Sequence, residues 1–378
     1  MSGVMDSAGA WQRVGLILAL LAAAGLGVTG GGGQPSFTVM IALLAAVLLS
    51  LLVERGRALG QPRGLAGGLI LLIAASLGTA AHGLAFRQSG AEGPAFWAAV
   101  IGVWLGGWML VAILADLKRL PGVWGRMQAL LAPVVFGLTL VWFWEAAVRA
   151  LSVPRVILPP PSMIGARIAA STDTLWVDVV QTFVKGALSG FAIGTGAAIV
   201  FALIVDRFDF LRRGLLPVGN FLSALPIIGT APIMVMWFGF DWPSKAAVVV
   251  AMVFFPMLVN TVQGLAATDS MQRDLMRTYS ANWVQTLLAL RLPAAMPFIF
   301  NGLKIAATLS LIGAIVAEFF GSPTRGMGFR ISTEVGRLQL DMVWAEIAVA
   351  ALVGSTFYGF WALLERRMTF WHPSQRGR

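Results

Sequence analysis

One polar stretch interrupts the apolar second half of the chain: Asp269-Ser270-Met271-Gln272-Arg273-Asp274-Leu275-Met276-Arg277-Thr278-Tyr279-Ser280-Ala281-Asn282-Trp283, continuing to Leu290-Arg291-Leu292-Pro293. A segment of this length between two long apolar runs has room for a helix, a turn and a second helix. Asp269 is placed to cap the first, whose exposed face would carry Arg273, Asp274 and Arg277 with apolar Leu275 and Met276 between them. Ser280 to Asn282 makes the turn and Val284 to Leu290 the second piece, with Pro293 where the next span starts, a position that tolerates a missing N–H. The chemistry open to such a surface is recognition, because a short rigid amphipathic helix can be pushed by a soluble partner. A solvated loop lying on the membrane surface is the plainer reading, and both stand at this point.

The other ionisable groups offer little for catalysis. With no Cys and two His, at positions 82 and 372, the chain has no thiolate nucleophile, no disulfide and too few ligands for an ordinary zinc or iron–sulfur site, so no cofactor is expected. No Gly-x-x-x-x-Gly-Lys-[Ser/Thr] occurs, so any ATP is bound by another chain. Glu145 and Arg149 stand one helical turn apart and read as an ion pair near a span end. Glu318 closes an apolar run and is either a border of a solute path or a contact of the Gly326–Gly328 loop. Pro226, Pro232 and Pro256 interrupt spans and free carbonyls that can line a cavity, with Ser223 beside the first; Thr308 and Ser310 read as helix–helix hydrogen-bonding groups.

The elements that must position these residues are membrane helices. Of the 378 residues 58% are hydrophobic and only 12% charged, about half the charged share of a soluble domain. The apolar residues form helix-length runs, and ten spans are expected. Four lie near Val14–Val28, Phe37–Val53, Leu65–Phe86 and Ala95–Ala115 and make an N-terminal block, 1–126. Six more lie near Leu131–Leu151, Val179–Val205, Leu215–Phe240, Lys245–Leu265, Ala294–Phe319 and Met342–Leu364, within a second domain, 131–370. If the N-terminus is cytoplasmic, seventeen of the 27 Lys and Arg fall in inside loops, which places both termini in the cytoplasm of a multi-pass protein of the cell's inner membrane. Scattered clusters rather than a basic stripe argue against nucleic acid as a partner and leave lipid as the expected surroundings. Gly186, Gly190, Gly194 and Gly196 crowd one span, and small residues at three- and four-residue spacing let helix backbones approach closely.

The polar segment resembles the coupling loop of binding-protein-dependent ABC importer permeases, in which Glu-Ala-Ala, three residues, Gly, nine residues and Ile-x-Leu-Pro recur. Counting back from Leu292-Pro293 puts the first position at Asp274, with Leu275 and Met276 at the two alanines, Ser280 at the glycine and Leu290 at the isoleucine. Further stretches are similar to the same family: Leu158-Pro159-Pro160-Pro161-Ser162, Ser223-Ala224-Leu225-Pro226, Phe254-Phe255-Pro256, and Ala317-Glu318-Phe319-Phe320-Gly321 followed by Gly326-Met327-Gly328. They favour the branch that imports nitrate, sulfonates such as taurine, or pyrimidine precursors.

The resemblance implies an all-α membrane protein with a six-helix permease core after a four-helix extension. It also implies a homodimer served by two cytoplasmic ATPase subunits and a periplasmic substrate-binding protein, and alternating access as the mechanism. Asp269, Arg273, Asp274, Leu275, Met276, Arg277, Ser280, Leu290, Leu292 and Pro293 would form the ATPase-coupling site, with Ser223, Pro226 and Glu318 candidates for the translocation path. An ion-coupled secondary transporter, the competing class, would show paired mid-membrane charges and an inverted repeat, and neither is evident in the sequence.

Overall fold

A computed structural model describes residues 122–208, 227–321 and 324–371, together with Trp104, Val111 and residues 210, 211, 213, 214 and 217–219. Every regular element among them is helical. Two compact units divide the chain, Met1–Ser162 and Met163–Arg378. In the first, helix α1 (Gly122–Ala150) carries the Glu145–Arg149 ion pair expected from spacing. Glu145 also accepts from the Ser162 backbone N–H and hydroxyl, both at 2.8 Å, which ties the Pro-rich connection back to the helix end.

Helix α2 (Pro161–Ala170) starts two residues before the second unit, which continues with a long helix α3 (Thr172–Arg207) that contains a π-helical stretch, Val180–Leu188. Then come α4 (Ile227–Phe238), α5 (Trp242–Ala266), α6 (Ser270–Thr278), α7 (Trp283–Phe320), α8 (Met327–Gly336) and α9 (Leu340–Met368). Helix α5 is central, packing most extensively against α7 and α3. Its buried Val249, Val253, Met257, Leu258 and Leu265 meet Phe191, Ala198, Ala202 and Val205 of α3 and Ala295, Ala306, Ala307, Ala314 and Ala317 of α7. Small residues bring the backbones together: a Cβ on Gly190 would stand 2.8 Å from the Ala246 carbonyl, and one on Gly264 2.7 Å from Phe298 Cβ. In lipid, where apolar burial gives helices little reason to associate, such close packing is the main source of cohesion.

The expectation of about ten spans with a six-helix core is corrected here. Among the described residues, five helices are long and apolar enough to cross a membrane: Ala129–Ala150, Thr172–Arg207, Trp242–Ala266, Trp283–Phe320 and Leu340–Met368. Apart from Trp104 and Val111, the four N-terminal runs lie outside the described residues. Within the run Leu215–Phe240, the described residues include the 12-residue helix α4, with Pro232 inside it and Gly239 at φ +82° just beyond. At 1.5 Å per residue such a helix covers about 18 Å of a hydrocarbon core roughly 30 Å thick.

Candidate coupling site

Helix α6 starts on a capping box. The Asp269 carboxylate accepts from the Met271 N–H at 3.3 Å, and the Gln272 side chain accepts from the Asp269 N–H at 3.3 Å, so two otherwise unpaired donors are satisfied reciprocally. It ends on a Schellman turn: Ala281 N–H donates to the Met276 carbonyl at 3.0 Å and Ser280 N–H to the Arg277 carbonyl at 2.8 Å. That turn needs a left-handed residue, and Ser280 supplies it at φ +52°. A serine therefore takes the conformation for which glycine is the low-cost choice. Asn282 and Gln285 form a second capping box, which starts α7.

Nearly all of α6 faces outward. Met271, Leu275 and Tyr279 are exposed by 76, 56 and 77% and fall at i, i+4 and i+8, a single apolar stripe. Asp274 and Arg277 flank it, paired with each other at 3.3 Å and largely in the open, where such a pair adds little stability and both charges stay available. Arg273 does not join this surface as expected. It turns inward and donates to the Thr268 carbonyl at 2.7 Å and hydroxyl at 3.2 Å, fixing the link from α5. Met276 is half-buried.

The second piece of the hairpin is not a separate helix. Trp283 to Phe320 run as one helix through a π-helical turn, Leu287–Arg291, which ends just before Leu292 and Pro293. A proline lacks a donor and crowds the carbonyl four residues back, and the widened turn directly before it accommodates both. Leu290, Leu292 and Pro293 are half-buried at this base rather than on the outward surface. The base is pinned by Arg291, whose guanidinium meets the Asp206 carboxylate at 2.7 and 2.6 Å and the Leu265 carbonyl at 3.1 and 3.0 Å. Arg207 lies 5.8 Å over the Trp283 ring. Sequence reading missed Met271 and Tyr279, whose spacing with Leu275 was the available signal, and it missed the pairing of Arg291 with Asp206, 85 residues apart.

Glu318 belongs to a buried network at the far end of α7. Its Oε2 accepts from the Thr182 hydroxyl and the Gly328 N–H, each at 2.8 Å, while Thr182 accepts from the Met327 N–H at 2.7 Å. Asp178 accepts from the Gly326 N–H at 2.6 Å and from Arg330 Nε at 2.9 Å. Three first-turn donors of α8, which no helix can satisfy internally, are thus met by α3 and α7. Gly326 sits at φ +120° against the Glu318 carboxylate, where any side chain would be strained and would collide with it. Lys245 of α5 donates to the Phe240 and Gly321 carbonyls, and Glu346 of α9 is fully buried beside Asp178. Ser223 and Pro226 lie outside the described residues.

The described residues thus form a bundle of membrane-length helices that carries a doubly capped, outward-facing helical hairpin. Residues 190–370 match the family of binding-protein-dependent transport system inner membrane components. The chain is 31% identical over 248 residues to the riboflavin transport system permease protein RibX of Chloroflexus aurantiacus, covering 65% of this chain and 91% of that one. It is 30% identical over 254 residues to the formylaminopyrimidine transport permease protein ThiX of Halalkalibacterium halodurans, covering 66 and 99%. Over 268 residues it is 28% identical to the taurine transport system permease protein TauC of Escherichia coli, covering 68 and 94%. The chain belongs to this family. It is a membrane permease subunit of an ABC-type importer moving a small solute, and membership implies cooperation with an ABC ATPase and a periplasmic binding protein.

Proposed function

We propose that α6 is the coupling helix of this permease and that the ATPase seats on its Met271, Leu275 and Tyr279 stripe, with Asp274 and Arg277 setting the orientation. The observation that carries the reading is that these three large side chains stand in the open on a helix rigidly capped at both ends. A mobile surface loop has no need of two capping boxes and a Schellman turn; a lever does. Nucleotide-driven closure of the ATPases moves the hairpin, and alternating access follows in the bundle. The hairpin end of the bundle is the cytoplasmic one, and the permease works as a homodimer. Residues 131–370 are the permease domain and 1–126 an added membrane block.

The solute is small and either anionic or heteroaromatic, in keeping with relatives named for taurine, formylaminopyrimidine and riboflavin. Ligand binding to the partner binding protein identifies it. Docking is tested by co-expressing permease and ATPase and purifying through the permease. Replacing Met271, Leu275 and Tyr279 together by serine is expected to lose the ATPase while leaving the permease folded; an ATPase that stays bound contradicts the assignment.

A further inference from the structure

We infer that Arg291 is a positioning residue that joins the hairpin to the ends of α3 and α5, so that a displacement of α6 moves these spans together with α7; this rests on the coupling reading above. Arg291 leaves the π turn at the hairpin's base with its side chain 15% exposed, and its partner Asp206 is 1% exposed. Asp206 is the next-to-last residue of α3, and the Leu265 carbonyl is among the acceptors that the end of α5 cannot satisfy internally. One guanidinium therefore holds two helix ends and the base of a third. A buried ion pair is weak evidence for stability, since apolar residues of similar volume often serve as well. What the fork supplies is fixed geometry, with four hydrogen bonds of defined direction that lysine cannot reproduce.

The helix pair beyond this joint is built to carry motion. Helices α5 and α7 run antiparallel. Arg291, near the start of α7, grips the carbonyl of Leu265 near the end of α5, while Lys245, near the start of α5, grips the carbonyl of Gly321 just after α7. The two clamps are 20 residues apart along α5, about 30 Å. Between them Gly302 lies so close to α5 that an added Cβ would stand 2.8 Å from Met257 Sδ, which resists sliding.

The test uses the full permease–ATPase complex in membranes. The chain has no cysteine, so Phe320→Cys, exposed at the last residue of α7 where the span ends, gives a single reactive thiol. Its labelling rate with a membrane-impermeant thiol reagent is compared without nucleotide and after trapping with ATP and vanadate. The parent is expected to change at least about fivefold; Arg291→Lys and Asp206→Asn are expected to change less than about twofold while keeping the bound ATPase and the trapped nucleotide, with a lowered thermal midpoint in Asp206→Asn, which leaves the guanidinium without its counter-charge. The inference is overturned if either variant keeps the parent's response, if response and trapped nucleotide disappear together, or if the parent does not respond. Failure of the docking reading shows elsewhere, as an ATPase retained by the Met271, Leu275 and Tyr279 variant.

Discussion

At the hairpin end of α5 and α7, Arg291 holds the Leu265 carbonyl and the Asp206 carboxylate, and beyond it Met271, Leu275 and Tyr279 stand in the open. At the other end Lys245 holds the Phe240 and Gly321 carbonyls, and beyond it Asp178, Thr182 and Glu318 are buried and answered by the first donors of α8. Both ends solve the same problem, that helix ends in a membrane protein carry polar groups the helix cannot satisfy. They differ in what lies past the clamp. One end closes on its own chain, whereas the other leaves a rigid apolar stripe in the open, the surface proposed for the ATPase. Substitutions at the closed end should therefore register as stability, and those on the open surface as association.

The largest effect is expected from Asp178→Ala, which strands the Arg330 guanidinium and the Gly326 N–H in a buried setting. A cost of about 3–5 kcal/mol follows, seen as loss of folded protein on size-exclusion chromatography in detergent. Glu346→Gln is the counter-case in the same network: it keeps the shape and removes a carboxylate beside Asp178, so an unchanged or raised thermal midpoint is expected. A large fall there would show that Glu346 makes an essential charged contact. Next comes Gly326→Ala, which at φ +120° meets the Glu318 carboxylate and should cost about 1–3 kcal/mol in chemical denaturation. At the open end, Ser280→Gly relieves a left-handed serine and should stabilise by at most about 1 kcal/mol with the ATPase still bound. Smallest is Leu275→Ser, within about 0.5 kcal/mol of the parent in stability yet weakened in ATPase association. A stability loss there as large as that of Asp178→Ala would erase the distinction between the two ends.

Much of this was legible in the sequence, and the parts that were not share a cause. Run length and hydropathy place Lys245–Leu265 within three residues of α5, and Asp269 is the cap it was expected to be. Spacing along one helix also gives Glu145 with Arg149 and the packed face of Gly190 and Gly194. Periodicity locates a face but not its partner. Arg273 was therefore placed on the surface although Thr268, five residues back, draws it in. Asp178 and Asp206 went unremarked because their partners lie 152 and 85 residues away. The run Leu215–Phe240 is not among the membrane-length helices of the described residues, where it contributes the helix Ile227–Phe238 with a proline inside it and a positive-φ glycine just beyond, features that a count of apolar residues does not register.

The most direct test of the coupling assignment is a site-directed cross-link. With Leu275→Cys as the only thiol in the permease, a short bifunctional reagent added to the co-expressed complex should join this chain to its ATPase. Cysteine at Leu338, on the turn between α8 and α9, should give no such product. A cross-link from Leu338→Cys, or none from Leu275→Cys in a complex that co-purifies, would contradict the account.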